Sequence, residues 1–334
     1  MTTDIGINGF GRIGKKLFRI LIDSEDIRIR GINDLMDDDT LIHLIRYDST
    51  HGRFHGDIQK CEGGILVNGQ RIHTGAHRDP SEIPWKDWGV RLVVESSGLF
   101  TNREGMNRHL MAGAEKVLLS CPPSGPVDRT IVIGVNDHML EKGDRFISNA
   151  SCTTNCLAPV IMLLEREFGI DRAFMNTVHP FTNNQVIIDA PHKDLRRART
   201  AGVNIIPTTS TAIEALFSVM PEMRGRFDGL AVRVPVHDGS LIEISAILKR
   251  RSCVEEVNRL MQRASESEMK DILSCTYDPI VSSDIIGDSH SAIIDTLSTR
   301  MLGENFLQMI IWYDNESGYS HRMADLIRKT GKLL

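Results

Sequence analysis

Gly9-Phe-Gly11-Arg-Ile-Gly14 follows a short β-branched run and opens a helical stretch, and Asp34 lies twenty positions beyond its last glycine. No other feature constrains the fold of this chain so tightly. Asp4 to Asn8 reads as a strand, and Arg12 to Asp23 carries Ile13, Leu17, Ile20 and Leu21 at helical spacing. Ile27 to Ile32 is a second strand with alternating side chains. In such a unit Gly9 permits the tight turn, Gly11 lets backbone approach a pyrophosphate, and Gly14 lets the helix lie close to the strand. The helix amino terminus then faces the negative charge. Asp34 ends the second strand, where a carboxylate accepts hydrogen bonds from an adenosine ribose and repels the extra phosphate of NADP. A lone glycine motif is weak. The bland alternative is a glycine-rich turn with an incidental acid, and strand, turn, helix, strand and acid in order argue against it. The expected cofactor is NAD.

The alternation continues through Arg91 to Glu95, Lys116 to Ser120 and Thr130 to Gly134, which predicts βαβ units and a mostly parallel sheet covered on both faces. Near residue 150 the pattern changes. Thr153 to Phe168 reads as one helix with Leu157, Val160, Ile161 and Leu164 on its apolar face. Strand candidates follow at Phe174 to Val178, Gly229 to Val236, Leu241 to Leu248 and Leu307 to Tyr313, with helices at Thr211 to Val219 and Val254 to Ala264. Few crossover-length helices separate these strands, so the second sheet is expected to be mixed or antiparallel. At 334 residues the chain exceeds one hydrophobic core. The predicted organisation is α/β: a Rossmann dinucleotide-binding domain over 1–151 and an α+β domain over 152–315. Tyr319 to Lys332 is helical by spacing, and the terminal helix, 316–334, is expected to return to the first domain.

Composition removes several function classes. Aromatics are 5% of the chain and the formal charge is -5, which disfavours base-stacking surfaces and a dedicated nucleic-acid partner. No apolar run approaches the roughly 18–20 residues of a membrane span, and the amino terminus lacks the features of a secretion signal. Six scattered cysteines suggest reduced thiols and a cytoplasmic protein.

Cys152 lies in Asn149-Ala-Ser-Cys-Thr-Thr-Asn-Cys156, where the second-half helix should begin. With Ser151 as N-cap, the partial positive charge of the helix end favours a Cys152 thiolate. A small buried side chain fits the position equally well, and the residues alone leave this open. Cys156 could share the helix face, but without ligand-spaced partners the pair makes a poor metal site, and Cys156 is read as structural. A thiolate beside a dinucleotide site suits aldehyde oxidation: attack gives a thiohemiacetal, which passes hydride to nicotinamide and leaves a thioester. That scheme needs a base. Of twelve histidines, His179 is the best placed, directly after the strand Phe174 to Val178 and before a polar loop. The loop, Pro180 to Ile205, holds Lys193-Asp-Leu-Arg-Arg-Ala-Arg199 and is followed by Pro207-Thr-Thr-Ser-Thr211. Arginine forks and hydroxyls grip phosphate oxygens. For Lys193, Arg196 and Arg199 a solvated face is the preferred reading; for Arg197, Arg233 and the hydroxyl run the residues alone decide nothing.

Five segments together resemble the glyceraldehyde-3-phosphate dehydrogenase family in order and spacing: Asn8 to Gly14, Tyr47-Asp-Ser-Thr-His-Gly52, Ser148 to Cys156, Pro191 to Arg199, and Trp312-Tyr-Asp-Asn-Glu316. The likeness covers essentially the whole chain. It implies a Rossmann domain, a catalytic domain with a mostly antiparallel sheet, and a homotetramer. Cys152 matches the nucleophile, and His179 the residue that activates it and relays protons. Besides Gly9, Phe10 and Gly11 of the motif, Arg12, Ile13, Asp34, Arg78 and Ser120 match cofactor contacts, and Asn315 matches the residue that orients the nicotinamide carboxamide. Thr182 and Arg233 match the site for the substrate's own phosphate; Ser151, Thr153, Arg197, Ser210 and Thr211 fall where substrate and attacking inorganic phosphate are held. The implied reaction is glycolytic: glyceraldehyde 3-phosphate and inorganic phosphate give 1,3-bisphosphoglycerate.

Asn184, Ser210-Thr211 and Ser317 depart from that family's usual aspartate, Thr-Gly and tryptophan, which bears on affinity and substrate preference; no catalytic group is deleted. Ala190-Pro191 and the absence of a hydroxyl at Leu35 also fit NAD. Alternatives are an erythrose-4-phosphate dehydrogenase, a paralogue specialised for arsenate, and a non-catalytic RNA-binding or adhesion role. Thr182-Asn183 argues against the first; intact Cys152, His179 and Asn315 argue against the last.

Overall fold

Parallel strands covered on both faces read as near-continuous apolar runs, and Leu92–Glu95 and Lys116–Leu119 are buried at every position. In the computed structural model, which describes residues 2–334, both lie in a nine-stranded sheet whose central strand is Thr3–Asn8. Thr3–Asn8 is flanked by Ile27–Asn33 and Leu92–Glu95, both parallel to it, and Lys116–Leu119, Phe146–Ser148 and Arg129–Thr130 continue the sheet in parallel on one side. On the other side Gln70–Gly75 pairs in parallel, and Gly64–Val67 and Ile58–Cys61 extend the edge as antiparallel hairpins. The central register sets Asn8 beside both Asn33 and Glu95, so three polar side chains close adjacent strands at one end of the sheet.

This unit comprises the chain up to Ser151 together with Ser320–Leu334. The terminal helix runs Ser317–Gly331, two residues earlier than its apolar spacing indicates. The Asp314 carboxylate sets that start by accepting the backbone N–H groups of Glu316 (2.8 Å) and Ser317 (2.6 Å). Farther along, Arg328 Nε donates to Asp26 Oδ2 at 2.9 Å and Lys329 pairs with Asp137, tying the helix to the first unit.

Thr130 to Gly134 reads as a strand in the sequence, but the strand is only Arg129–Thr130. Asn136 explains the early end: its Oδ1 accepts from Val132 N (2.8 Å) and its Nδ2 donates to Thr130 O (2.9 Å), taking backbone groups a ladder would use. Ile131, Val132 and Ile133 are apolar because they are buried, a requirement that a turn meets as well as a strand.

The second unit, Cys152–Tyr319, carries a seven-stranded sheet in the order Ile206–Thr208, Phe227–Val234, Ile170–Pro180, Ser240–Leu248, Phe306–Tyr313, Ala292–Leu302, Leu273–Thr276. Its pairings are antiparallel except between Ile170–Pro180 and Phe227–Val234, and between Leu273–Thr276 and Ala292–Leu302. The short connections predict a mixed or antiparallel sheet and the resemblance implies a mostly antiparallel one; four of the six pairings are antiparallel. Ser240–Leu248 buries alternate side chains, Ser240, Ile242, Ile244, Ala246 and Leu248. The helix Cys152–Phe168 buries Leu157, Val160, Ile161 and Leu164 as its spacing requires. Ile170–Pro180 is much longer than Phe174 to Val178, and His179 therefore lies within the strand, paired with Arg233, rather than after it. Among the described residues, no helix is long and apolar enough to cross a membrane.

Candidate active site

In the first unit the glycine turn is built as its residues require. Gly9 has φ +88°, and a Cβ there would stand 2.3 Å from Ser97 N, so a side chain is excluded by both conformation and space. A Cβ on Gly14 would meet Gly9 O at 2.4 Å, which fixes how closely the helix Arg12–Leu21 approaches the turn. Gly11 has no atom within 4 Å of a Cβ position and leaves the approach to the helix amino terminus open. An open backbone face at a helix start, followed by an acid at the next strand end, fits a dinucleotide pyrophosphate and ribose.

Asp34 does more than its position in the sequence suggests. Its Oδ2 accepts the Phe10 N–H at 2.6 Å and its Oδ1 accepts Met36 N–H at 3.1 Å, so the acid also braces the glycine turn. Phe10 supplies that N–H; its ring is buried edge-on to Phe18. Ile13 is half-buried on the helix. Arg12 grips Asp48 with two nitrogens, at 2.6 and 3.1 Å. Burial works to raise the Asp48 pKa, yet Arg12 and the N–H groups of His51 and Thr50 outweigh it and hold the carboxyl well below the usual range. Arg78 is exposed after the strand Gln70–Gly75, and Ser120 follows Lys116–Leu119, its N–H donating to Glu95 O at 2.9 Å.

In the second unit Cys152 is the first residue of its helix, immediately after Ser151, and His179 reaches it from the neighbouring strand. Cys152 Sγ lies 3.6 Å from His179 Nε2 and 4.0 Å from Thr153 Oγ1. Burial pushes the Cys152 thiol up, and the positive charge of Arg233 only partly opposes it. The helix terminus alone therefore does not make the thiolate that the sequence suggests. Burial, with Arg233 added, drives His179 down to about 3 against the opposing Pro180 carbonyl. Both shifts favour the neutral thiol and the neutral imidazole over the ion pair. His179 Nδ1 lies 2.9 Å from Pro180 O and also contacts Arg233 Nη1. A proton on Nδ1, donated to Pro180 O, leaves Nε2 bare toward the sulphur; donation from Arg233 to Nδ1 requires the opposite tautomer.

Arg233 is the link to the phosphate candidates. Its Nη1 donates to Pro180 O at 2.9 Å, and its buried Nε has no hydrogen-bond partner among the described residues. Arg197 lies close enough to disfavour the Arg233 charge, after burial and against the pull of Cys152 and Tyr313. Two neighbouring guanidiniums with spare donors suit an anion. Arg197 itself is oriented by Thr208 Oγ1 (2.9 Å) and Asp194 (3.4 Å). Thr182 N donates to Gln185 Oε1 at 3.4 Å, and Gln185 Nε2 is buried without a partner among the described residues. Ser210 Oγ accepts from Ala212 N at 3.2 Å and keeps its own proton to donate, while Thr211 and Asn184 are exposed. Arg196 and Arg199 are exposed, Arg199 paired with Asp189, as a solvated face requires.

Several residues that hold this centre escape a sequence reading. Thr177 Oγ1 donates to Leu241 O (3.2 Å), so it accepts from Tyr313 Oη (3.0 Å), which in turn accepts from Thr153 Oγ1 (2.9 Å). The Thr153 hydroxyl is thus spent on positioning the first turn of the Cys152 helix. Asn315 is held by Ser240 Oγ, which donates to its Oδ1 at 2.7 Å. Ser240 begins a strand with a buried small polar side chain, and that mismatch is the signal that could have found it. Ser317 is buried at a helix start, and its hydroxyl donates to Gly287 O at 3.1 Å.

The glyceraldehyde 3-phosphate dehydrogenase NAD-binding-domain model matches residues 3–103, and the C-terminal-domain model of the same family matches residues 151–315. Similar proteins include the glyceraldehyde-3-phosphate dehydrogenase of Geobacillus stearothermophilus, 47% identical over 98% of this chain and 97% of the relative. Those of Borreliella burgdorferi and Mycobacterium avium are each 46% identical, covering 98% and 100% of this chain and 99% and 100% of their own lengths.

Proposed function

The chain belongs to the glyceraldehyde-3-phosphate dehydrogenase family and is an NAD-dependent dehydrogenase, and from this we propose that it oxidises glyceraldehyde 3-phosphate, with inorganic phosphate, to 1,3-bisphosphoglycerate as a step of glycolysis. The observation that carries the reading is Cys152 Sγ at 3.6 Å from His179 Nε2, with Arg233 beside the imidazole and Arg197 beside Arg233. We assign the dinucleotide to residues of the first unit, Gly9 to Ile13, Asp34, Arg78 and Ser120, with Asn315 holding the nicotinamide carboxamide.

In this reading the Cys152 thiol gives its proton to His179 Nε2 as sulphur attacks the aldehyde carbon. The imidazolium passes that proton to the carbonyl oxygen to complete the thiohemiacetal, and Nε2 takes it back as the substrate carbon is oxidised. The preference for the neutral pair makes the first proton transfer the task of His179, and the tautomer with Nδ1–H on Pro180 O is the one that performs it. Bound NAD supplies the acceptor for the hydrogen and two electrons that leave the substrate carbon. The acyl group then remains on Cys152 as a thioester. An inorganic phosphate oxygen attacks its carbonyl, the carbon–sulphur bond breaks, and Cys152 leaves as thiolate to regain a proton. Arg233 and Thr182 hold the substrate phosphate in this account, and Arg197, Ser151, Thr153, Ser210 and Thr211 hold substrate and incoming phosphate. With its hydroxyl bonded to Tyr313, Thr153 contributes through position or backbone.

Comparing kcat/KM for glyceraldehyde 3-phosphate and erythrose 4-phosphate tests the substrate. The triose should be preferred by at least about tenfold, a difference of ~1.4 kcal/mol in transition-state binding. A preference for the tetrose would assign the Ser210-Thr211 segment to the longer substrate. Asp34→Ala tests the cofactor side. It removes both the repulsion of a 2′-phosphate and the acceptor for Phe10 N–H, so the NAD/NADP preference ratio should fall by about tenfold or more, as expected for charge-assisted hydrogen bonds. An unchanged ratio would show that Asp34 does not read the ribose.

A further inference from the structure

Asn33, Asn8 and Glu95, at the ends of three adjacent strands, join in one buried line of hydrogen bonds. His77 N–H donates to Asn33 Oδ1 (2.9 Å), while Asn33 Nδ2 donates to His77 O (3.0 Å) and to Asn8 Oδ1 (2.8 Å). Asn8 Nδ2 then donates to Glu95 Oε2 at 2.6 Å. His109 Nε2 lies 2.9 Å from the same oxygen, and Trp85 Nε1 lies 3.0 Å from His109 Nδ1. An indole N–H can only donate, so Nδ1 accepts and the imidazole proton sits on Nε2, directed at Glu95. The other oxygen, Oε1, accepts the Ser97 N–H (2.8 Å) and the Ser97 hydroxyl (2.5 Å). All partners of Glu95 are donors. The carboxylate, His109 and Trp85 are 0% exposed and the two asparagines 3%.

No amide in this line can turn over. Asn33 is gripped at both ends by the backbone of His77, so it must donate to Asn8, and Asn8 must in turn donate to Glu95. Trp85 anchors the far end: its ring lies so near Gly6 of the central strand that a Cβ there would stand 2.5 Å away. What the line encloses is the glycine turn. Asn8 precedes Gly9, whose missing Cβ would meet Ser97 N, and Ser96 Oγ donates to Gly9 O at 2.6 Å.

We propose that Glu95 is a positioning residue for the cofactor: its carboxylate fixes Asn8 on one side of the glycine turn and Ser97 on the other, and so sets the backbone that receives the dinucleotide phosphates. Glu95 touches no ligand in this role. The inference rests on NAD binding by the first unit and is independent of which aldehyde is oxidised. A purely structural network would lower the melting temperature and leave the affinity of the folded protein unchanged.

Glu95→Gln in the full-length protein separates the two. The amide keeps the shape, but its NH2 must face donors at either end. Calorimetric Kd values for NAD and for ADP-ribose should both rise by about tenfold or more, the size expected when a buried charge-assisted bond is replaced by a donor–donor contact. ADP-ribose lacks nicotinamide, so an equal loss places the effect at the phosphate turn. kcat at saturating NAD should stay within about twofold of the parent, since uniform binding alone is lost. A folded variant with parental Kd values, or with kcat reduced and Kd unchanged, would overturn the proposal. Should Glu95→Gln not fold, Ser97→Ala is expected to weaken NAD about threefold and Ser97→Thr, which keeps the hydroxyl, to restore it; parental affinity in Ser97→Ala overturns it equally. If the parent protein bound neither ligand, the cofactor assignment would fall and this inference with it.

Discussion

Cys152→Ser is expected to bind NAD as the parent does and to lose turnover by about a thousandfold or more, ~4 kcal/mol of transition-state stabilisation. Serine fits the same place: the first helical residue, half-buried, with Thr153 tied to Tyr313 behind it. What changes is the proton. The neutral imidazole, lowered to about 3 by burial and Arg233, is a weak base. It can take a proton from a thiol as sulphur attacks, but a serine hydroxyl holds its proton far more tightly. An oxygen ester is also a poorer acyl donor to phosphate than a thioester, so both halves of the cycle suffer. Calorimetry with NAD, alongside NADH formation, separates binding from chemistry. Substantial activity in the serine variant would remove Cys152 from the centre of the mechanism.

His179→Asn should slow two different reactions together, alkylation of Cys152 by iodoacetamide and NADH formation from the aldehyde, each by roughly 10²- to 10⁴-fold, the range for loss of a positioned general base. The joint loss follows from the geometry. His179 Nε2 is the nitrogen at 3.6 Å from Sγ, and the Thr153 hydroxyl, 4.0 Å from the same sulphur, is no base. Because burial raises the thiol pKa, little thiolate forms without help near neutral pH. Asparagine cannot take the proton. If the thiol alkylated at the parental rate in this variant, His179 would have no activating role, and any loss of turnover would have to be explained through Arg233 and substrate binding.

The most legible part of the sequence is the glycine turn, and the reason is local. A glycine turn between strand and helix declares itself because φ +88° at Gly9 and the contact at Gly14 demand glycine whatever surrounds them. The sheet flanking it is legible because doubly covered strands must be apolar throughout. The hairpin strands Gly64–Val67 and Gln70–Gly75 leave a comparable local mark, Asn68-Gly69 at positive φ, but it lies away from any chemistry and is easily passed over. Thr130 to Gly134 shows the opposite error, since burial and strand formation ask for the same side chains and only the Asn136 hydrogen bonds separate them.

The support around the site is less legible because it is assembled from distant positions. Glu95 needs Asn8, Ser97 and His109, and His109 needs Trp85; no spacing between them is diagnostic. Tyr313, Thr177 and Thr153 come from two strands and a helix. The same holds for electrostatics. A helix amino terminus suggests a thiolate at Cys152, but the desolvation that overrides it comes from the whole surrounding structure. Arg197 and Arg233 read as two unrelated arginines until the fold brings their charges within reach of each other.

In the proposed cycle the acyl group waits on Cys152 until inorganic phosphate releases it. Rapid mixing of the NAD-loaded protein with glyceraldehyde 3-phosphate, with and without inorganic phosphate, tests it directly. Without phosphate a burst of about one NADH per Cys152 should appear and then stall, because the thioester accumulates, and with phosphate turnover should be continuous. Turnover at the same steady rate in both mixtures, or no burst in phosphate-free buffer from a protein that binds NAD, would contradict the cycle.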